Sequence, residues 1–392
     1  MKIKYISGIM LSLLLFSCTE KQLEPITGSL GKPGMVTDIK LEPVPGGVKV
    51  SYRIPNSEDI LGVKGVYTLA DGKEHEATAS FYDNSLLLLG YNDTTQHKAQ
   101  LYAINRAQEL SAPVEVSFRP FESSLSKTAK TLSIVSDFGG AQYNWRNEDK
   151  SPLTMEFLVQ DSVGIMQTMK IITTQSDSSR QSIRGYKPEP RLFAAIVRDN
   201  YGNASDTIYA PDKAITPFFE EKLNKRNMTV MKLSNDASFT NWEGMDSYLI
   251  DDDHGTFGHS ANSSIPAPFT IDLGNTAKLS RVVMFERKYS DSYYNWGNPL
   301  TFSVYGCPAK PSLNGEWEEW TKIMDCEIVK PSGSPSGTVT DEDVTAAENG
   351  HEFSFELSQQ PLRYLRIVIT STWGGTTFCH PADVDFYGEV VK

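Results

Sequence analysis

The chain has 392 residues, 37 basic and 49 acidic side chains, and a formal net charge of -12 at pH 7. A content of 39% hydrophobic and 10% aromatic residues is that of a globular protein and excludes a disordered or fibrous chain. The acidic balance, without a long Lys/Arg cluster, argues against nucleic acid as a partner, because phosphate binding needs a concentrated positive face. Neutral glycans, proteins and divalent cations stay open as partners.

Lys2 and Lys4 precede the apolar run 9–16, the charged-then-apolar layout of an export signal, too short for a permanent membrane span. The run ends in Leu15-Phe16-Ser17-Cys18, which resembles the lipobox of bacterial lipoproteins. The resemblance implies a signal peptide over 1–17, lipidation at Cys18 and a mature protein held at the membrane by its acyl chains alone. An ordinary secretory signal with an incidental Cys18 would instead leave a soluble product. Residues 18–32 read as the lipidated cysteine and a tether of Gly, Pro and charge without periodicity. Cys307, Cys326 and Cys379 are left over, an odd number without zinc or redox spacing; a single disulfide between Cys307 and Cys326 stays open.

From Pro33 the pattern is short alternating runs between turn residues. Val48-Lys49-Val50-Ser51-Tyr52 follows the turn Pro45-Gly46-Gly47, Gly65–Leu69 precedes Asp71-Gly72, and Ala99–Ile104 closes the block before Pro113. Such a series of strands over 33–120 reads as a β-sandwich, and the order of its features resembles a fibronectin type III domain. A second block, 121–216, ends as the first does. Leu101–Arg106 followed by Ser111 parallels Phe193–Arg198 followed by Ser205, which predicts two tandem sandwiches. Trp145 reads as core packing. Residues 217–234 are a connector holding the best candidate for a short helix.

The third block, 235–392, holds Trp242, Trp296, Trp317, Trp320 and Trp373, five of the six tryptophans. Its skeleton runs through an Asp-rich loop at 251–253, Ile271-Asp272-Leu273-Gly274, the central Arg281 and Arg287, Arg363-Tyr364-Leu365-Arg366-Ile367 and Phe386-Tyr387-Gly388. In this order it resembles the discoidin family, the coagulation factor five/eight type C domains, whose relatives include galactose-type carbohydrate-binding modules. The fold expected is therefore all-β: two fibronectin III-like or immunoglobulin-like sandwiches, then a discoidin-like, galactose-binding-like jelly roll with its ligand loops at one end. The whole arrangement also resembles surface lipoproteins of polysaccharide-utilisation loci in Gram-negative gut bacteria.

Two constellations carry chemistry. In Asp251-Asp252-Asp253-His254-Gly255-Thr256, adjacent carboxylates repel and invite a hard cation. The resemblance implies a structural Ca2+ at Asp251, Asp253, Thr256 and Asp383, although Asp252 stands where the family has glycine and Asp383 is shorter than the family's glutamate. A solvated acidic turn, with Asp capping its own backbone, reads the same residues equally well. The second constellation is aromatic: Tyr293–Asn298 and Thr372–His380 mix flat rings with planar hydrogen-bonding groups, as sugar recognition requires. Trp296, Trp373, Tyr294, Asn295 and His380, with His259 and Arg287, are the candidate ligand residues. Trp317 and Trp320 read as packing residues, and His351 as an exposed loop residue.

No zinc-protease, nucleophile-elbow or phosphate-loop motif occurs, and no carboxylate pair is placed in a cleft. The reading is a non-catalytic, outer-membrane-anchored lipoprotein that holds polysaccharide or oligosaccharide near glycan-uptake proteins and degrading enzymes. The alternative is an adhesion or scaffolding module that meets a partner protein through the same loops.

Overall fold

The computed structural model describes residues 30–290 and 292–391, so the export segment and Cys18 lie outside the described residues. What it describes is all-β. The first unit pairs the strands Thr37–Val44, Gly47–Arg53 and Ser85–Leu89 in one sheet. Its other sheet runs Glu74–Ser80, Ile60–Thr68, His97–Asn105 and Val114–Phe118. Alternation puts Val48, Val50, Tyr52, Val63, Leu88 and Leu101 between the two layers.

The second unit repeats this topology strand for strand. One sheet has Ser133–Asp137, Gly140–Arg146 and Ser178–Ile183; the other has Met166–Thr174, Leu153–Gln160, Arg191–Arg198 and Ile208–Ile215. The sequence parallel around Ser111 and Ser205 has a shared physical cause. Each hydroxyl accepts from the backbone of the preceding strand, Ala103 N or Val197 N at 3.0 Å, and donates to the next carbonyl at 2.8 Å. Trp145 lies in the core, 5.8 Å from the Phe157 ring. A helix over Ser124–Thr131, capped by Ser123, covers one end of this sandwich.

The connector departs from the helix expected there. Glu221–Lys222 pairs with the last strand, and only Lys225–Asn227 makes a single 3₁₀ turn. Leu223 and Met228 are buried in the core of the third unit, and that burial outweighs local helical preference.

The third unit is an eight-stranded sheet built around one long strand, Ala267–Glu286. Its first half pairs with Leu362–Thr372 and its second half with Pro381–Val390, so one strand feeds both layers. The ladder shifts register between Asp272 and Ala277, where Gly274 has φ 77° and a Cβ would meet Asn227 O at 2.1 Å. Arg366 is wholly buried beside Asp236 at 2.8 Å and under the Trp317 ring at 4.1 Å; Trp320 is also buried. Cys307, Cys326 and Cys379 are buried free thiols without a disulfide.

Candidate functional site

Three loops meet at one end of the third unit: 239–262, 287–298 and 372–380. Backbone bonds bind them together. His259 N donates to Phe239 O at 2.9 Å, Ser260 N to Cys379 O at 2.9 Å, and Gly374 N to Trp296 O at 2.7 Å. Asn298 holds Arg287 from both sides, accepting from its N–H and donating to its carbonyl, each at 2.9 Å, while Trp373 N donates to Asn298 O.

Between the loops lies a cavity of about 520 Å³. Its floor is made of planar groups. His259 stacks on Phe378 with centroids 4.9 Å apart and lies 5.6 Å from His380, and the Arg287 guanidinium covers Phe257 at 3.4 Å. Its rim is aromatic: Trp242 is 82% exposed, Trp296 is 53% exposed, and Tyr289 meets Trp296 edge-on at 5.7 Å. Trp242 and Trp296 both adopt left-handed backbone, φ 47° and 46°, a conformation that a bulky residue takes only where its surroundings compel it. Two indoles held outward in this way, over one cavity, are a costly arrangement for a surface with no use for them.

Both imidazoles are neutral at physiological pH. Burial pushes His380 down to about 3 and lowers His259 as well. His259 Nδ1 faces Ser260 O at 2.8 Å and so carries the proton, whereas His380 Nε2 accepts from Gly297 N at 3.0 Å. Arg287 has no carboxylate within ion-pair distance among the described residues. Glu243 is the one described carboxylate lining the cavity. Flat rings facing water, a free guanidinium and neutral imidazoles suit a ligand with apolar C–H faces and hydroxyl edges.

A larger concavity, about 820 Å³, lies between the second and third units. It is lined mainly by Ser, Gln, Asn and Arg side chains, and its Trp145 is buried, so it offers no exposed ring.

Of the residues singled out in the sequence, Trp296, His259, Arg287 and His380 come together in the cavity. Tyr294, Asn295 and Trp373 do not. Tyr294 is wholly buried although its φ of 52° is close to that of Trp296; its hydroxyl donates to Asp343 O at 3.2 Å, and Trp373 packs edge-on against its ring at 5.3 Å. Asn295 is buried behind the loop, near Tyr289 O. His351 is not an exposed loop residue: it is buried, with Nε2 2.9 Å from Glu286 Oε1. Trp242, Phe257, Tyr289 and Phe378 complete the site. Asn241-Trp242-Glu243-Gly244 is a polar aromatic loop of the kind that pointed to Trp296, so Trp242 had a signal.

The acidic loop is built differently from the calcium set inferred above. Asp251 accepts from Asp253 N at 3.0 Å and from the Thr256 hydroxyl at 2.8 Å, and Asp253 accepts from Gly255 N at 2.8 Å. These carboxylates cap their own turn. Asp383 is grouped not with Asp251 and Asp253 but with Asp252 and Asp385, 3.9 Å from His254 Nε2. Lys225 Nζ stands among these three, 2.6 Å from Asp383, 2.6 Å from Asp385 and 3.2 Å from Asp252. Burial alone would lower the Lys225 pKa, but Asp383 and Asp385 outweigh it and hold the amine protonated. Asp251, Asp253, Thr256 and Asp383 therefore do not fit a calcium site.

Family models match three stretches of the chain, each described as a domain of unknown function: 33–120 (DUF4959), 121–226 (DUF5126) and 232–388 (DUF5000). No curated protein matches. Solved structures similar to the chain include the C-terminal domain of a chitobiase from Bacteroides fragilis. It is 18% identical over 44% of this chain and all of that one, with a TM-score of 0.30. A CBM32 domain from a family 31 glycoside hydrolase of Clostridium perfringens is 16% identical over 42% of this chain and 96% of that one, with a TM-score of 0.28. The SusE-like protein BT2857 is 32% identical and matches over 68% of this chain, with a TM-score of 0.45. Since that identity extends over 98% of BT2857, the chain belongs to the family of SusE-like proteins.

Proposed function

We propose that the protein is a non-catalytic glycan-binding lipoprotein of the cell surface, anchored at Cys18, and that the cavity rimmed by Trp242 and Trp296 holds the sugar. The observation that carries this reading is the pair of exposed indoles in left-handed backbone over one cavity. A pyranose stacks its C–H face on such a ring, and the Arg287 guanidinium and the His259 imidazole are hydrogen-bonding groups for its hydroxyls, with His380 holding the Trp296 loop through Gly297. The two sandwiches act as a spacer, and the terminal unit keeps polysaccharide near outer-membrane uptake and degradation proteins.

The test is affinity electrophoresis of the chain from residue 19 on plant, host and microbial polysaccharides. Retardation by one glycan class, reversed by free oligosaccharide of that class, supports the reading. Unretarded migration on the whole panel contradicts it.

A further inference from the structure

We propose that the Lys225 ammonium is a built-in cation: it fills the acidic centre of the third unit that a divalent metal would otherwise occupy, and makes this fold independent of calcium. An ammonium offers three N–H donors, and Nζ of Lys225 faces three carboxylates, Asp252, Asp383 and Asp385. Calcium would require six to eight oxygens at about 2.3–2.6 Å around that same point. The Lys225 side chain is 4% exposed, and those of Asp383 and Asp385 are 0% and 3% exposed, so an ion could enter only by expelling the lysine.

Charge leads to the same conclusion. Lys222 Nζ adds a second cation, 2.8 Å from both Asp252 and Asp385, so two ammoniums stand against three carboxylates. What remains is a single negative charge, a poor incentive for a divalent ion to shed its water. Asp252, with a φ of 65° natural to glycine, takes part through one carboxylate oxygen, 2.8 Å from Lys222 Nζ and 3.2 Å from Lys225 Nζ. Both lysines lie on the connector, beside the Glu221–Lys222 pairing with the last strand. The cation is therefore delivered by the segment that joins the second unit to the third, and it pins that segment to the acidic end.

The experiment compares melting temperatures of the wild-type chain from residue 19 and its Lys225→Met variant, each in millimolar calcium chloride and in EDTA, with calorimetric titration of calcium. The wild type is expected to melt at one temperature in both and to give no binding heat. Lys225→Met is expected to melt lower in EDTA and to recover several degrees in calcium, as a site that binds only when folded requires. A wild-type rise in calcium that disappears in Asp383→Asn would overturn the proposal, and so would a Lys225→Met variant as stable as wild type and indifferent to calcium. Should Lys225→Met not fold, refolding from denaturant reads the same quantity: recovery in calcium alone supports the proposal, and recovery in neither overturns it.

Discussion

Gly297 and His380 are bonded to each other twice: Gly297 N donates to the imidazole Nε2 at 3.0 Å, and His380 N donates to Gly297 O at 2.8 Å. The ring can accept only while Nε2 is unprotonated, and burial keeps it so by lowering its pKa from 6.5 to about 3. The unfolded chain therefore binds a proton that the folded chain refuses. The stability contributed by this ring is complete above pH 6.5 and is lost as pH falls toward 3, by up to about 1.4 kcal/mol per pH unit. Asp383, raised from 3.8 to about 6 by burial, opposes this slope between those values. Chemical denaturation of wild type and His380→Gln across this range isolates the histidine: the wild-type curve is expected to fall more steeply below pH 6.5, and parallel curves would refute the assignment.

Trp242→Ala and Trp296→Ala are expected to leave the melting temperature nearly unchanged, because each side chain is more than half exposed. Each loses a stacking face worth about 1.4 kcal/mol, roughly a tenfold loss of glycan affinity. Retardation coefficients on the glycan that binds, read beside melting curves, check both halves.

Trp373 and Tyr294 are expected to behave in the opposite way. Trp373→Ala empties space against the core and costs about 3 kcal/mol of stability. Tyr294→Phe removes the bond to Asp343 O and costs about 1 kcal/mol. Denaturant titration measures both. A Trp373→Ala variant with wild-type stability would mean that the indole serves the ligand and not the core.

Gly374 touches the rim from behind. A Cβ there would lie 2.6 Å from Trp296 Cα, so Gly374→Ala must displace the Trp296 backbone, and its indole with it, without changing the identity of any lining residue. Glycan affinity is expected to fall as far as in Trp296→Ala. Unchanged affinity would show that the exact position of Trp296 is unimportant.

The strand alternation that builds the sandwiches was legible because a period of two is visible in a single sequence, as at Val48, Val50 and Tyr52. Residue type also led to the site end of the third unit, since rings beside planar polar groups stand out at Trp296, His259, Arg287 and His380. What stayed hidden was direction. Tyr294 and Trp296 share the same left-handed backbone, yet Tyr294 is drawn inward by Asp343 O and the Trp373 ring while Trp296 stays half exposed, a difference set by distant partners that no periodicity reveals. The short helix over Asp341–Asn349 was visible in principle, because Thr340 and Asp343 form a capping box. The acidic centre was not. Lys225 and Asp383 are 158 residues apart, and nothing local in the connector announces a lysine destined for burial.

The most direct test of the account is isothermal titration of the retarding oligosaccharide into wild type and into Trp242→Ala/Trp296→Ala, both confirmed as folded. The account predicts saturable binding to wild type and binding about a hundredfold weaker to the double variant, the two tenfold losses combined. Equal affinity for the two proteins would place the glycan elsewhere and contradict the assignment of this cavity.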